Sequence, residues 1–180
     1  MLVASDVMRL VIAPGASGTS ASMQAHVDGL RARGIDATAI DIPKKRAEDA
    51  VAAYLAISGS GPDIAIGGQS YGGRVASLLA ADGEHVFDGL VLFSYPLHRP
   101  GSPEWEPRSA HWLQIQCPVL FLSGEADPFA RIDLLRHAIT ERLPNAQLIT
   151  WPRVGHGLKP VLDEALDRTA AFLEGLAGRS

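Results

Sequence analysis

The sequence predicts an α/β fold, a single domain over residues 1–180 built on a minimal parallel sheet of about six strands with helices on both faces. Three observations carry this expectation. Six short apolar runs, rich in Val, Ile, Leu and Phe and closed by Gly or Pro, recur along the chain as strands buried on both faces do. Segments of helical spacing separate them, and such alternation requires right-handed crossovers and a parallel sheet. The chain is 47% hydrophobic and 180 residues long, enough to bury a core without disulfides or structural metal.

The first strand is expected over residues 8–14, "MRLVIAP", followed by the Gly-rich "APGASG" and a helix over 21–33. The second, "ATAIDIP" at 37–43, leads into a helix over 47–57. The third, "DIAIGG" at 63–68, runs into "GGQSYGG" and a helix over 73–81. After the fourth, "GLVLFSYP" at 89–96, comes the irregular stretch 95–112 with four prolines, longer than most strand-to-helix connections and so a candidate functional loop. The fifth, "PVLFLSG" at 118–124, precedes a helix over 131–143. The sixth, "AQLITWP" at 146–152, precedes a helix over 159–176, whose stripe Leu162, Ala165, Leu166, Thr169, Phe172 and Leu173 opposes Asp163, Glu164, Asp167 and Arg168.

Composition excludes several functions. The net charge is −4, and the basic run Lys44-Lys45-Arg46 is followed at once by Glu48 and Asp49, the pattern of a solvated helix start, so no nucleic-acid partner is expected. A single cysteine, Cys117, precludes an internal disulfide and a multi-cysteine zinc site, and suits a reducing cytoplasm. No run approaches the roughly 20 apolar residues of a membrane span. Arg9 inside the first apolar run, and the Gly-rich loop after it, argue against a signal peptide. The expectation is a soluble cytoplasmic protein with no cofactor and no metal.

In an open parallel sheet, ligands bind beyond the carboxyl ends of the strands, where the winding reverses. Ser70 lies in one such loop, in the G-x-S-x-G formed with Gly68 and Gly72, between a strand and a helix, as a nucleophile elbow requires. The helix start would favour developing negative charge there. The competing assignment is a Gly-rich turn that packs or binds phosphate, although a P-loop lysine and G-x-G-x-x-G are both missing. A serine needs a base. His156 stands in the Gly-flanked loop "VGHGL" after the last strand, whereas His26, His85 and His137 lie in or near helices. Asp127, in "SGEADPF" after the fifth strand, is the favoured partner for the imidazole, with Glu125 as its rival. The N–H of Tyr71 would be the first oxyanion donor and that of Ala16, in "APGASG", the second. Arg74, His98 and Trp105 are the expected substrate contacts, with Arg99 and His111 as further pocket candidates, and each also fits a surface role. Cys117 is expected to be a small apolar filler.

The order Ser70, Asp127, His156 is that of α/β-hydrolases, and over about residues 8–176 the chain resembles that superfamily, on its small side near dienelactone hydrolases. More narrowly, "APGASG", "GGQSYGGRVAS", "SYPLHRPG", "DPF" and "GHG" resemble a small hydrolase-like family that includes a testis-expressed hydrolase-like protein and a chromatin acetyltransferase complex subunit. The resemblance implies strand order 2-1-3-4-5-6, loss of the larger fold's first two strands and no cap domain, so an open, shallow site. It implies nucleophile, acid and base at Ser70, Asp127 and His156. Dienelactone hydrolases themselves carry Cys where Ser70 stands, so their substrate does not transfer. The expected function is a cytoplasmic serine hydrolase of a small ester or thioester. The alternative is a non-catalytic interaction module that meets a protein partner through the proline-rich loop.

Overall fold

In the first strand, side chains alternate between two faces of a sheet, and both are buried: Leu10 and Ile12 on one, Val11 and Ala13 on the other. The computed structural model describes residues 7–177, so the single domain expected over 1–180 extends past the described residues at both ends. It contains β1 (Arg9–Ala13), α1 (Gln24–Arg31), β2 (Asp36–Ala39), α2 (Ala47–Ser58), β3 (Ile64–Gln69), α3 (Tyr71–Ala80) and β4 (Gly89–Phe93). β5 (Val119–Gly124), α4 (Ile132–Arg142), β6 (Gln147–Trp151) and α5 (Leu162–Ala177) complete it. Short 3-10 turns precede α1 and α5, and a third, Ala110–Gln114, closes the irregular proline-rich connection.

The strands lie in the order β2-β1-β3-β4-β5-β6, every pair parallel, as the resemblance implied. α1, the 3-10 turn before it and α5 cover one face through Met23, Val27, Leu30, Leu166 and Leu173. α2, α3 and α4 cover the other through Tyr54, Val75, Leu79, Leu135 and Ile139. The chain winds outward from β1 to β2, then returns across β1 to β3 and proceeds the other way. The winding therefore reverses between β1 and β3, and the loops leaving those two strands part to form a crevice.

Two expectations need correction. The outer strands are not buried on both faces, because β2 and β6 are sheet edges: Asp36 and Gln147 are exposed. The third helix begins at Tyr71 rather than Gly73, taking in Tyr71 and Gly72, although glycine is a poor helix former. The reason is crowding. A Cβ at Gly72 would lie 2.2 Å from the Ala13 carbonyl oxygen, so only glycine lets the first turn of α3 pass over the end of β1.

The proline-rich connection packs inward as well. Tyr95 and Trp112 are fully buried, meet edge to face with centroids 5.1 Å apart, and the Tyr95 hydroxyl donates to the Arg108 carbonyl at 2.6 Å. These contacts tie the loop to the α3 and α4 side of the sheet. No additional helical layer is inserted after β4 among the described residues.

Candidate active site

Ser70 joins β3 to α3 with φ 49° and ψ −115°, a backbone conformation that L-residues other than glycine rarely adopt. Its N–H donates to the Phe93 carbonyl on β4 at 2.9 Å and its carbonyl accepts from the Arg74 N–H at 3.0 Å. The sharp turn is thus pinned at both ends, and the side chain projects from the carboxyl edge of the sheet. Gly68 and Gly72 keep ordinary negative φ; their part is to leave room, while the strain sits on Ser70 itself.

His156 reaches Ser70 across 86 residues of chain, with Nε2 2.9 Å from the Ser70 Oγ. Its Nδ1 lies 2.8 Å and 3.0 Å from the two Asp127 carboxylate oxygens. With the carboxylate ionised, Nδ1–H donates to Asp127 and Nε2 is left as acceptor for the serine hydroxyl. The Asp127 side chain is 0% exposed and also accepts the Phe129 N–H at 2.8 Å, so a buried anion is held by two donors rather than left bare. Phe129 packs against the imidazole with centroids 4.3 Å apart, limiting its rotation. Glu125 is engaged elsewhere, accepting from Thr150 Oγ1 at 2.7 Å and pairing with Arg136 at 3.5 Å.

The loop that carries His156 lies against the loop that carries Asp127. The Ala126 N–H donates to the Val154 carbonyl at 2.9 Å and the Glu125 N–H to the Trp151 carbonyl at 3.0 Å. A Cβ at Gly124 would come within 2.1 Å of the Val154 oxygen, so this glycine lets the histidine loop cross the end of β5.

Tyr71 opens α3, where a helix's first N–H groups lack intrahelical acceptors and point outward at the positive end of the dipole. Across the crevice, a Cβ at Gly15 would stand 3.8 Å from the Ser70 Cβ, which brings the loop carrying the exposed Ala16 beside the serine. That loop is braced. The Gly15 carbonyl accepts from the Gly18 N–H at 3.1 Å and from Lys44 Nζ at 2.8 Å, and the Tyr71 hydroxyl donates to the Pro43 carbonyl at 2.7 Å. Chemically, the arrangement can deprotonate the Ser70 hydroxyl as it attacks and offer backbone donors to the oxygen that becomes negative.

A cavity of about 360 Å³ opens on the α1 and α5 side of Ser70, lined by His26, Gln69, Phe93, Ser94, Leu158 and Leu162 among others. Arg74, His98 and Trp105, the expected substrate contacts, do not line it. Arg74 pairs with Glu48 of α2 at 3.1 Å. His98 is buried with both ring nitrogens engaged: Nδ1 lies 2.9 Å from the Arg99 carbonyl and Nε2 accepts the Arg131 N–H at 3.0 Å, joining the proline-rich loop to the start of α4. Trp105 meets His137 edge to face and lies under the Arg142 guanidinium. His111 is 2.8 Å from Ser77 Oγ, and burial pushes its imidazole down to about 4; Arg99 is exposed. Cys117 is half-buried, with its thiol pushed up to about 11 by burial. His26, Ser94, Phe129 and Lys44 were not singled out as site residues, although Ser94 and Phe129 stand in the motifs "SYPLHRPG" and "DPF" that carry the resemblance. His26 has ordinary helical spacing and carries no local signal.

Comparison with known proteins gives a consistent family and fold. Residues 41–174 match the model of the family described as alpha/beta hydrolase domain. Among solved structures, the chain is similar to the monoacylglycerol lipase of Paleococcus ferrophilus, at 17% identity over 96% of this chain and 95% of that one, with a TM-score of 0.77. It is similar to Est1E from Butyrivibrio proteoclasticus with ferulic acid bound, at 15% identity over 98% and 92%, TM-score 0.75. It also matches the Pyrococcus furiosus esterase, at 14% identity over 97% and 84%, TM-score 0.74.

Proposed function

The chain belongs to the alpha/beta hydrolase domain family, and from that premise we propose that it is a serine hydrolase of a small ester or thioester. The observation that carries this proposal is the continuous hydrogen-bonded chain from Ser70 Oγ through His156 to the buried Asp127, at 2.9 and 2.8 Å. Ser70 Oγ attacks the acyl carbon while His156 Nε2 takes its proton. Asp127 orients the ring and stabilises the imidazolium. The N–H groups of Tyr71 and Ala16 hold the oxyanion. His156 then returns the proton to the leaving alcohol or thiol, and the acyl group stays on Ser70. Water activated by the same histidine attacks this acyl-enzyme and releases the acid.

The cavity with its apolar walls supports a small organic acyl group as substrate, and the lipase and esterase similarities in fold agree with ester chemistry. "YPLHRPG" and the uncapped connection after β4 support a finer placement on the small branch near dienelactone hydrolases. No described helix is long and apolar enough to cross a membrane, and the half-buried single cysteine suits the cytoplasmic location proposed.

A fluorophosphonate probe should label wild-type protein at Ser70 and leave Ser70→Ala unlabelled. The same substitution should lower hydrolysis of p-nitrophenyl acetate or an acyl thioester by about 10⁴-fold or more. An unlabelled folded wild-type protein would favour the alternative, a non-catalytic interaction module.

A further inference from the structure

The peptide group between Gly15 and Ala16 carries an acceptor that is fully engaged and a donor that is free. The Gly15 carbonyl accepts from the Gly18 N–H at 3.1 Å, closing a tight turn, and from Lys44 Nζ at 2.8 Å. A carbonyl oxygen has two lone pairs, so both are used. A trans peptide is planar, with its N–H directed opposite to its C=O, and no described peptide bond is cis. The Ala16 N–H is therefore turned away from Lys44, and it donates to no acceptor among the described residues. A Cβ at Gly15 would lie 3.8 Å from the Ser70 Cβ, which sets this peptide against the reacting serine.

Lys44 is itself held. It belongs to the segment between β2 and α2, which grips the loop after β1 at two points: Asp41 accepts the Ser20 N–H and the Ser20 hydroxyl, each at 2.7 Å, and Lys44 takes Gly15. The Tyr71 hydroxyl ties the same segment to α3 by donating to the Pro43 carbonyl at 2.7 Å. The Lys44 ammonium also lies over the Tyr71 ring, 5.6 Å from its centroid, within cation–π range. Tyr71 thus offers a backbone donor at the start of α3 and, through its side chain, seats the lysine that holds the other peptide. Partial burial pulls the Lys44 ammonium below the usual lysine range, opposed by the Asp41 carboxylate, as expected of a cation drawn from water toward the loop.

We propose that Lys44 is a positioning residue for the oxyanion hole: by holding the Gly15 carbonyl it fixes and polarises the Gly15–Ala16 peptide, whose N–H meets the developing negative oxygen together with that of Tyr71. This inference rests on the oxyanion role proposed for Ala16. A hydrogen bond accepted by a peptide oxygen strengthens the donor at the other end of the same peptide, because linked hydrogen bonds polarise one another. A charged donor does this more strongly than a neutral one. A dipole fixed in advance also needs no reorganisation when charge appears on the substrate oxygen. The ground-state ester carries little charge there, so the effect belongs to kcat rather than to KM.

The test measures kcat and KM on p-nitrophenyl acetate for wild type, Lys44→Met, Lys44→Arg and Lys45→Met, with thermal unfolding alongside. Complete loss of one oxyanion donor lowers rates by about 10²–10³-fold. Lys44→Met leaves the Gly18 bond in place, so kcat should fall by about tenfold with KM within about threefold of wild type. Lys44→Arg keeps a cationic donor and should recover most of that loss. Lys45→Met removes the same charge one residue along and should stay within about twofold, since an exposed charge is screened. Binding of a trifluoromethyl ketone, whose serine adduct carries the oxyanion, should weaken in Lys44→Met by the same factor as kcat/KM. An unchanged kcat, a loss confined to KM, or an equal loss in Lys45→Met would overturn the proposal. Turnover by wild type reports separately on the hydrolase function. Should wild type turn over no ester, relaxation NMR of the Ala16 amide still decides about the brace. A lower order parameter in Lys44→Met, restored in Lys44→Arg, supports it; an unchanged one overturns it.

Discussion

Ser70 holds a backbone conformation that costs of order 1–3 kcal/mol for a residue with a Cβ, and the rest of the turn forces it there by bonding its N–H to β4 and its carbonyl to α3. At φ 49° and ψ −115° glycine is the unstrained choice. Ser70→Gly should therefore abolish turnover and raise unfolding stability by about 1 kcal/mol, seen as a higher urea midpoint at unchanged slope. An equal or lower midpoint would show that the turn is not strained. Asp127 makes the complementary case. Asp127→Asn preserves size while removing the charge and favouring the wrong imidazole tautomer, so kcat should fall by about 10⁴-fold, measured with thermal unfolding to confirm a native fold. The positions of both residues were legible in the sequence, because a serine between two glycines after an apolar strand, and an acid just past another, are local signals. An elbow serine also implied a strained backbone, and Asp127 was favoured over Glu125 as neighbour of His156, but what draws Glu125 away was not legible. Two carboxylates two residues apart are distinguished only by which way each faces, and Thr150 and Arg136 draw Glu125 off.

At the scale of elements, short apolar runs located the described strands and helical spacing the described α-helices, since burial on both faces and the 3.6-residue turn follow directly from backbone geometry. Their ends were less legible. β4 stops at Phe93, short of the expected Pro96, because Ser94 turns into positive φ. α3 starts early because Gly72 must pass close to β1. One side chain joins three elements: the Tyr54 hydroxyl, on α2, lies 2.8 Å from the Val11 carbonyl of β1 and 2.7 Å from that of Gly67 in β3, and accepts the Gly67 N–H at 3.1 Å. It sits between the two strands that flank the winding reversal, in a site so buried that its phenol titrates well above the ordinary tyrosine range. Tyr54→Phe leaves those backbone groups without their partner in a dry interior. It should cost about 1–3 kcal/mol in urea unfolding, and a smaller cost would mean that the β1 and β3 ladder closes without it.

For the whole molecule, the sheet divides two apolar cores, and each carries a neutral histidine at its margin. His26 stands on the α1 and α5 side, and His111 is hydrogen-bonded to Ser77 of α3 on the other. Burial pushes both from 6.5 down to about 4. The unfolded chain therefore binds more protons than the native one between those values, and stability falls as the pH drops from about 6.5 towards 4. Below about 4 both states are protonated and this contribution levels off. Replacing both histidines with glutamine should flatten the decline in urea midpoint between pH 7 and pH 4.5 relative to wild type. Parallel curves would show that other groups control acid unfolding.

The sequence by itself determined the alternation of elements, hence the parallel sheet, and the loops from which any site must be built. These follow from local rules: side-chain period, glycine and proline punctuation, and the handedness of crossovers. Only the tertiary structure decided which side chains in those loops meet. Ser70 and His156 are 86 residues apart in the chain and 2.9 Å apart in space, and His98, equally polar and equally loop-borne, turns inward to tie two loops together. The cavity with Ser94 and His26 belongs wholly to that second class, because a cavity is a relation among side chains from separate elements, and no window of sequence contains it.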